Sequence, residues 1–307
     1  MLVFSHEAAA GHVTPSGHPE RVERVAAVER GLAGLAFERR VSPLAVEADL
    51  LRCHPAAYLA RLRAAVPDSG FVQLDPDTWL SPGSFEAASR AVGGACAAVD
   101  AVTAGGPDAR RAFVVARPPG HHAEREVPMG FCLFGTVAIA AKHALEACGL
   151  TRVAVVDFDV HHGNGTQDLL WDEARVRFVS SQQMALWPGT GAASERGAHG
   201  QILNLPLAPG SDGAVMRAAY DAQVFPWLED FQPELILISA GFDAHADDPL
   251  AQLRWQVEDY AWLTQRLCGL ADRHGKGRVV SCLEGGYDLG ALAASVAAHV
   301  GALQERE

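Results

Sequence analysis

The stretch Val153-Ala-Val-Val-Asp-Phe-Asp-Val-His-His-Gly-Asn-Gly165 decides how the rest of the chain is read. Val153 to Val156 is apolar and rich in β-branched side chains, and glycines close the segment, as expected of a short strand buried on both faces. Side chains alternate along an extended backbone, so Asp157, Asp159 and His161 project to one side and Phe158 and Val160 to the other. Two carboxylates and an imidazole thus converge where a buried strand ends. Such groups are costly there unless paired or bound to a cation, and mixed Asp and His ligation suits zinc or a similar first-row metal. The competing explanation is local: one Asp caps the next helix and one His is satisfied within the core.

Working outward, six more short apolar runs read as strands: Leu2–Ser5, Ala112–Ala116, Val176–Ser180, Ile202–Leu205, Leu235–Ser239 and Val279–Leu283. Among them lie segments with helical spacing at Pro19–Leu35, Ser84–Val102, Thr136–Cys148, Val215–Trp227 and Val257–His274. This alternation predicts an α/β fold, a doubly wound and mostly parallel sheet covered on both faces. With no repeat and no linker, the 307 residues are expected to form a single catalytic domain, 1–307. Four loops rich in Pro and Gly stand out, Val66–Ser84, Arg117–Gly130, Gln182–Gly200 and Gly241–Pro249, and three directly follow a predicted strand. Open α/β sheets bind ligands outside the carboxyl ends of their strands, so the chemistry is sought there.

Three more constellations fall in that position. In Ser239-Ala-Gly-Phe-Asp-Ala-His245, Asp243 can supply a third metal ligand and leave positions open for water and substrate; alone, it reads equally as a helix cap. Arg117-Pro-Pro-Gly-His-His-Ala123 carries His121 and His122 on a turn from which both can line a pocket and move protons near neutral pH. Among thirteen histidines, a chance surface pair is the alternative. In Leu283-Glu-Gly-Gly-Tyr-Asp288, Gly285 and Gly286 permit a tight turn that holds the Tyr287 hydroxyl over the strand ends, where a phenol can donate to a developing oxyanion. A turn aromatic lying on the surface is the alternative.

A net charge of −12 argues against a nucleic-acid surface, which needs clustered Lys and Arg, while it tolerates cationic substrates such as lysine-bearing peptides or polyamines. Six cysteines without a C-x-x-C pair read as reduced thiols. The opening MLVFSHEAAAGH lacks the basic-then-apolar order of a signal peptide. The apolar window from Ala291 to Leu303 is short and broken by His299 and Gly301, so it predicts a buried helix and no membrane span. Cytoplasmic residence is the default expectation, and a homo-oligomer is left open.

The ordered motifs HPERVERV (18–25), RPPGHHA (117–123), MGFCLF (129–134), VDFDVHHGNGTQ (156–167), WPGTG (187–191), AGFDAHADDPL (240–250) and EGGYDL (284–289) resemble those of the histone deacetylase family. The similarity runs from about His18 to Leu289 and is greatest to its class II branch and bacterial relatives, which include acetylpolyamine amidohydrolases and acetoin-utilisation-type proteins. The resemblance implies the arginase/deacetylase-like fold and a zinc-dependent hydrolase that removes an acetyl or other acyl group from an N-acylated amine. It implies Asp159, His161 and Asp243 as zinc ligands, His122 as the proton carrier with Asn164 as its partner, His121 as an electrostatic aid paired with Asp157, and Tyr287 as the carbonyl-polarising donor. Asn164 is the class II residue where class I carries Asp.

By the same resemblance Phe131 and Trp187 form the aromatic walls of a narrow channel, with Gly130, Gly285 and Gly286 beside it and Leu250 at its rim; either aromatic can equally be core. Polyamine-specific relatives can carry an acid at the rim position, and Leu250 disfavours that selectivity. Asp75 and Asp77 fall in a rim loop, where turn chemistry explains them equally well. Arg24 resembles an inner-channel arginine. A structural potassium is implied on the carbonyls of Asp157, Asp159, His161 and Ser181 with the Ser180 hydroxyl. Where relatives commonly read Phe-Asn-Asn, this chain has Phe134-Gly135-Thr136, and Thr136 is expected to cap the following helix. Two other readings compete. An arginase-type binuclear manganese site needs another Asp two positions after Asp243, where His245 stands. A catalytically silent acyl-lysine binder has no use for His121 and Tyr287.

Overall fold

The computed structural model describes residues 1–106 and 109–305; Pro107, Asp108, Arg306 and Glu307, which the expected 1–307 domain includes, lie outside the described residues. The strands are β1 (Leu2–Ser5), β2 (Glu38–Val41), β3 (Val72–Gln73), β4 (Trp79–Leu80), β5 (Arg111–Val114), β6 (Val153–Asp157), β7 (Val176–Gln183), β8 (Ile202–Leu207), β9 (Leu235–Ala240) and β10 (Val279–Leu283). The helices are α1 (Glu23–Leu32), α2 (Glu47–Leu50), α3 (Ala56–Ala65), α4 (Ser84–Ala104), α5 (Thr136–Glu146), α6 (Asn164–Leu169), α7 (Gly213–Ala219), α8 (Phe225–Phe231), α9 (Val257–His274) and α10 (Leu289–Gln304).

Eight strands pair in one parallel sheet in the order β2-β1-β5-β10-β9-β6-β7-β8, while β3 and β4 form a small antiparallel hairpin. Alternation along β6 builds the two layers. Val153 and Val155 pack into a core with α3, α4 and α5, whereas Ala154 and Val156 pack into a second core with α1, α9 and α10. A strand buried on both faces has no polar side, which explains the unbroken apolar run.

The strand order places the site. From β6 the chain moves outward to β7 and β8, returns to β9, and moves the other way to β10. The connections leaving the neighbouring strands β6 and β9 therefore diverge, and a crevice opens at their carboxyl ends. The loops after β5, β10, β9 and β6, four consecutive strands of the sheet, carry the four motifs.

Several elements differ from the sequence expectation. β2 reads Glu-Arg-Arg-Val and is mostly exposed at the sheet edge, so it has no apolar signature. The hairpin of β3 and β4 lies inside the segment read as a loop, and α3 was not anticipated. Between Gly213 and Phe231 the expected helix is interrupted by a π turn at Tyr220–Val224. Thr136 does not cap α5; it is the first helical residue, Gly135 is the cap without a side chain, and the His54 Nε2 accepts the Gly135 N–H at 2.9 Å. The six cysteines are free and five are buried. No helix among the described residues is long and apolar enough to cross a membrane.

Candidate active site

Strand β6 ends at Asp157, yet the alternation persists beyond it: Phe158 and Val160 turn into the core against Phe242 and Tyr260, and Asp159 and His161 face the other way. His161 Nδ1 lies 3.1 Å from Asp159 Oδ1 and 3.1 Å from Asp243 Oδ2. Both carboxylates are fixed by backbone donors. Asp159 Oδ2 accepts the Gly285 N–H at 2.9 Å, and Asp243 Oδ1 accepts the Val160 N–H at 2.9 Å. The approach is tight enough to require glycine: a Cβ on Gly285 would stand 2.2 Å from Asp243 Oδ2, and one on Gly241 would stand 2.1 Å from Asp159 Oδ2.

Two buried carboxylates around one ring nitrogen demand a positive charge. Burial disfavours a charged His161, but its hydrogen bonds to Asp159 and Asp243 outweigh that and push it up to about 10. A proton thus stands where a cation would bring the three groups together. The donor set of two carboxylates and one imidazole, with ligand atoms within 4.8 Å of one another, fits a zinc-like ion and leaves room for further ligands. Among the described residues two other groups have metal-ligand composition, Asp49, Cys96 and His143, and Asp100, His143 and Cys148. There the His143 nitrogens already face Asp49 Oδ1 at 2.9 Å and Asp100 Oδ1 at 2.8 Å, so the contacts close as a side-chain bridge between α2, α4 and α5.

The loop after β5 is anchored at both ends of its motif. The Arg117 guanidinium donates to both oxygens of the buried Glu20, from Nε to Oε1 at 2.7 Å and from Nη2 to Oε2 at 3.1 Å. Burial alone would raise the Glu20 carboxyl; Arg117, then His12 and Arg24, hold it well below the usual range. Three residues on, Glu284 Oε2 accepts the Gly120 N–H at 2.6 Å and the His121 N–H at 3.2 Å, and burial pushes that carboxyl up to about 7. His121 and His122 then lie with ring centroids 3.9 Å apart, but only His122 lines the cleft while His121 sits behind it.

The two histidines differ in surroundings. His121 Nδ1 is 2.9 Å from Asp157 Oδ2; burial opposes its charge, yet Asp157 and Asp159 raise it well above the ordinary value. His122 is held well below that value by burial and by the neighbouring His121 and His161. Asn164 donates through Nδ2 to Glu124 Oε1 at 2.8 Å, so its oxygen faces His122 Nδ1 at 2.7 Å. That orientation makes Nδ1 the donor and leaves Nε2 free to accept a proton.

Above these groups is a cleft of roughly 260 Å³ lined by Gly130, Phe131, Trp187, Leu250, Asp77 and Tyr287, all expected from the sequence, together with His18, Pro19 and Leu186, which were not. Trp187 stands edge-on to His122 at 4.7 Å and Phe131 edge-on to Tyr287 at 5.9 Å. Gly130 has φ +56°, and a Cβ there would strike His122 Cδ2 at 2.5 Å and Trp187 Cη2 at 2.6 Å. Asp75 is a turn residue, its Oδ1 accepting the Asp77 N–H at 2.8 Å. Arg24, Gly285 and Gly286 are not in the cleft wall. Arg24 is buried, paired with Glu20, and donates to the Gly286 carbonyl at 2.7 Å and to the Glu284 carbonyl.

Residues 18–303 match the histone deacetylase domain. The chain belongs to the histone deacetylase family. It is 40% identical over 284 residues to a histone deacetylase-like amidohydrolase of Pseudomonas aeruginosa, covering 91% of this chain and 73% of that protein. It is 39% identical over 317 residues to histone deacetylase 14, chloroplastic, of Arabidopsis thaliana, covering 96% and 75%. The crystal structure of the HDA15 HD domain superposes with a TM-score of 0.92 at 30% identity, covering 98% of this chain and 88% of that one. The protein is accordingly a hydrolase of this family with the arginase/deacetylase-like α/β fold. The residues that the sequence reading missed, Glu20, Glu284 and Asp248, act on backbone or on buried arginines; each lies inside a quoted motif, but the partner it serves is on a different loop, which no motif signals.

Proposed function

We propose that the protein is a zinc-dependent amidohydrolase that removes an acetyl or other short acyl group from an N-acylated amine borne on an extended aliphatic chain, acting as one catalytic domain. The observation that carries the reading is the buried Asp159, His161 and Asp243 group opening onto a cleft walled by Phe131 and Trp187, with His122 and Tyr287 at its base. Zinc, when bound by these three side chains, would supply Lewis-acid polarisation of the amide carbonyl and acidify the attacking water.

The remaining chemistry falls to the chain. His122 Nε2, neutral and uncovered, takes the proton of the attacking water and returns it to the departing amine. His121, charged beside Asp157, contributes positive potential behind it. Tyr287, whose phenol stays protonated because burial raises it well above its ordinary value, donates to the carbonyl oxygen as that oxygen gains charge. The aromatic walls hold a methylene chain by apolar contact and exclude water.

A structural potassium is part of the same proposal. Asp157 and Ser180 are register neighbours on β6 and β7, and the Ser181 hydroxyl donates to the Asp157 carbonyl at 3.4 Å, which supports oxygen donors from these three residues; the Asp159 and His161 carbonyls are assigned by family resemblance. Acetyl-lysine peptides are favoured over acetylpolyamines, because Leu250 rather than an acid stands at the rim position and, among the described residues, Asp77 is the one carboxylate of the lining. A cytoplasmic location is part of the same proposal; chloroplast residence belongs to the name of the Arabidopsis relative. The test is hydrolysis of acetyl-lysine peptides, acetylputrescine and aryl amides before and after exhaustive chelation, with zinc added back. Turnover should vanish with the metal and return with it; full turnover in metal-free protein refutes the reading.

A further inference from the structure

The turn that carries Tyr287 is held by a side chain with no part in the chemistry described so far. Asp248, 6% exposed in the loop after β9, accepts the Tyr287 N–H at 2.7 Å and the Asp288 N–H at 3.3 Å on Oδ2. Its Oδ1 accepts the Leu250 N–H at 3.1 Å. From the opposite side, Arg24 Nε donates to the Gly286 carbonyl at 2.7 Å. The Gly286 carbonyl and the Tyr287 N–H belong to the same peptide unit, so that unit is gripped at both poles.

The grip matters because of what precedes it. Gly286 has φ +118°, a conformation with little intrinsic preference among its neighbours, and an unanchored peptide after such a glycine is free to rotate. The buried phenol meets Phe131 edge-on at 5.9 Å and the Arg24 guanidinium at 5.0 Å, and the residue lines the cleft. Packing confines the ring, while the backbone it projects from sets where along the cleft it stands. A local turn needs only the Oδ1 bond to Leu250; Oδ2 is committed to a loop 39 residues away.

We propose that Asp248 is a positioning residue for Tyr287, locking the Gly286–Tyr287 peptide so that the phenol points at the reacting carbonyl, and that through Leu250 it also sets the rim of the cleft. The proposal rests on the reading of Tyr287 as the oxyanion donor. Asp248 acts as a pair of acceptors, so the variants separate acceptance from charge. Asn retains one acceptor oxygen, which can serve the two N–H groups of the Tyr287 turn while its amide NH₂ confronts Leu250. Ala retains neither.

The experiment measures kcat and KM on an acetyl-lysine anilide, zinc content, and affinity for an acetyl-lysine trifluoromethyl ketone, whose hydrate mimics the tetrahedral adduct. D248A should lose about 10- to 100-fold in kcat, the loss expected when a reacting group is displaced by about an ångström, with zinc content unchanged. D248N should recover most of kcat and show its defect in KM. In a Y287F background, D248A should cause no further loss of kcat, while the rim defect persists in KM. Three results overturn the proposal: wild-type kcat in D248A, a D248A loss of kcat that persists in Y287F, or a D248N with kcat as impaired as that of D248A. If D248A does not fold, D248S and D248N carry the same comparison. A Y287F protein with wild-type turnover would instead sink the reading of Tyr287, whichever way Asp248 behaves.

Discussion

Replacing Asn164 by Asp is the perturbation whose size can be worked most directly from the site. His122 Nδ1 lies 2.7 Å from Asn164 Oδ1, and His122 is held well below its ordinary pKa by burial, His121 and His161. A carboxylate in the same place puts unit charges about 4 Å apart, worth at most about 4 kcal/mol at an effective dielectric of about 20. The gain is smaller in practice. Asn164 Nδ2 now donates to Glu124 Oε1 at 2.8 Å, and Asn164→Asp turns that bond into a contact between two carboxylates, which share a proton and lessen the added charge. The expected net effect is an increase of about 1 to 2 pH units in the His122 pKa.

The sign follows from the base needing to be unprotonated. A higher His122 pKa moves the acidic limb of the pH profile of kcat/KM to higher pH, by the same about 1 to 2 units, with little change on the plateau above it. The assay is kcat/KM on an acetyl-lysine anilide from about pH 5 to about 10, with zinc content measured at each extreme. An acidic limb that stays in place or moves to lower pH would refute the assignment of His122 as the group that must be free of its proton.

Two further substitutions test packing and linkage. Gly130→Ala pushes a methyl against His122 and Trp187 at a positive φ, which costs about 1–3 kcal/mol for overpacking and about 1–2 kcal/mol for the backbone; thermal denaturation should show a lower Tm and kinetics a lower kcat/KM, with zinc retained, and an active, equally stable variant counts against the tight wall. His299 is buried between Thr264 Oγ1 at 2.6 Å and Ser281 Oγ at 2.8 Å, and burial pushes it down to about 3 from 6.5. Its folded pKa lies below its unfolded one, so its contribution is complete above 6.5 and is lost as pH falls towards 3, on the order of a few kcal/mol. Urea titrations should show a flatter acid limb in His299→Gln, and identical pH slopes in the two proteins would contradict it.

The sequence carried the central strands and the ligand trio because both depend on local pattern. An apolar run followed by Asp159 and His161 shows a period of two, and the glycines of EGGYDL mark a turn. What it could not carry depends on register between distant loops. Edge strand β2 is made of Glu, Arg, Arg and Val, and exposure leaves such a strand without alternation to detect. That His121 withdraws behind His122 is decided by Glu284 taking the Gly120 and His121 N–H groups, from a loop more than 160 residues further along the chain. Arg24 shows the same limit. Its i, i+4 spacing from Glu20 is plain in the sequence, but its service to the carbonyls of the Tyr287 turn is not.

The walls of the cleft and its floor belong to different parts of the chain. Phe131 and Trp187 sit on the segments before α5 and after β7, whereas Asp159, His161 and Asp243 follow β6 and β9. Selectivity and reactivity therefore sit on separate segments that touch where Gly130 and Trp187 pack against His122: positions of 129–134 and 184–191 away from that contact can be varied to admit a different acyl chain. For a protein engineer, this makes the mouth the place to diversify and the sheet crevice the place to leave alone.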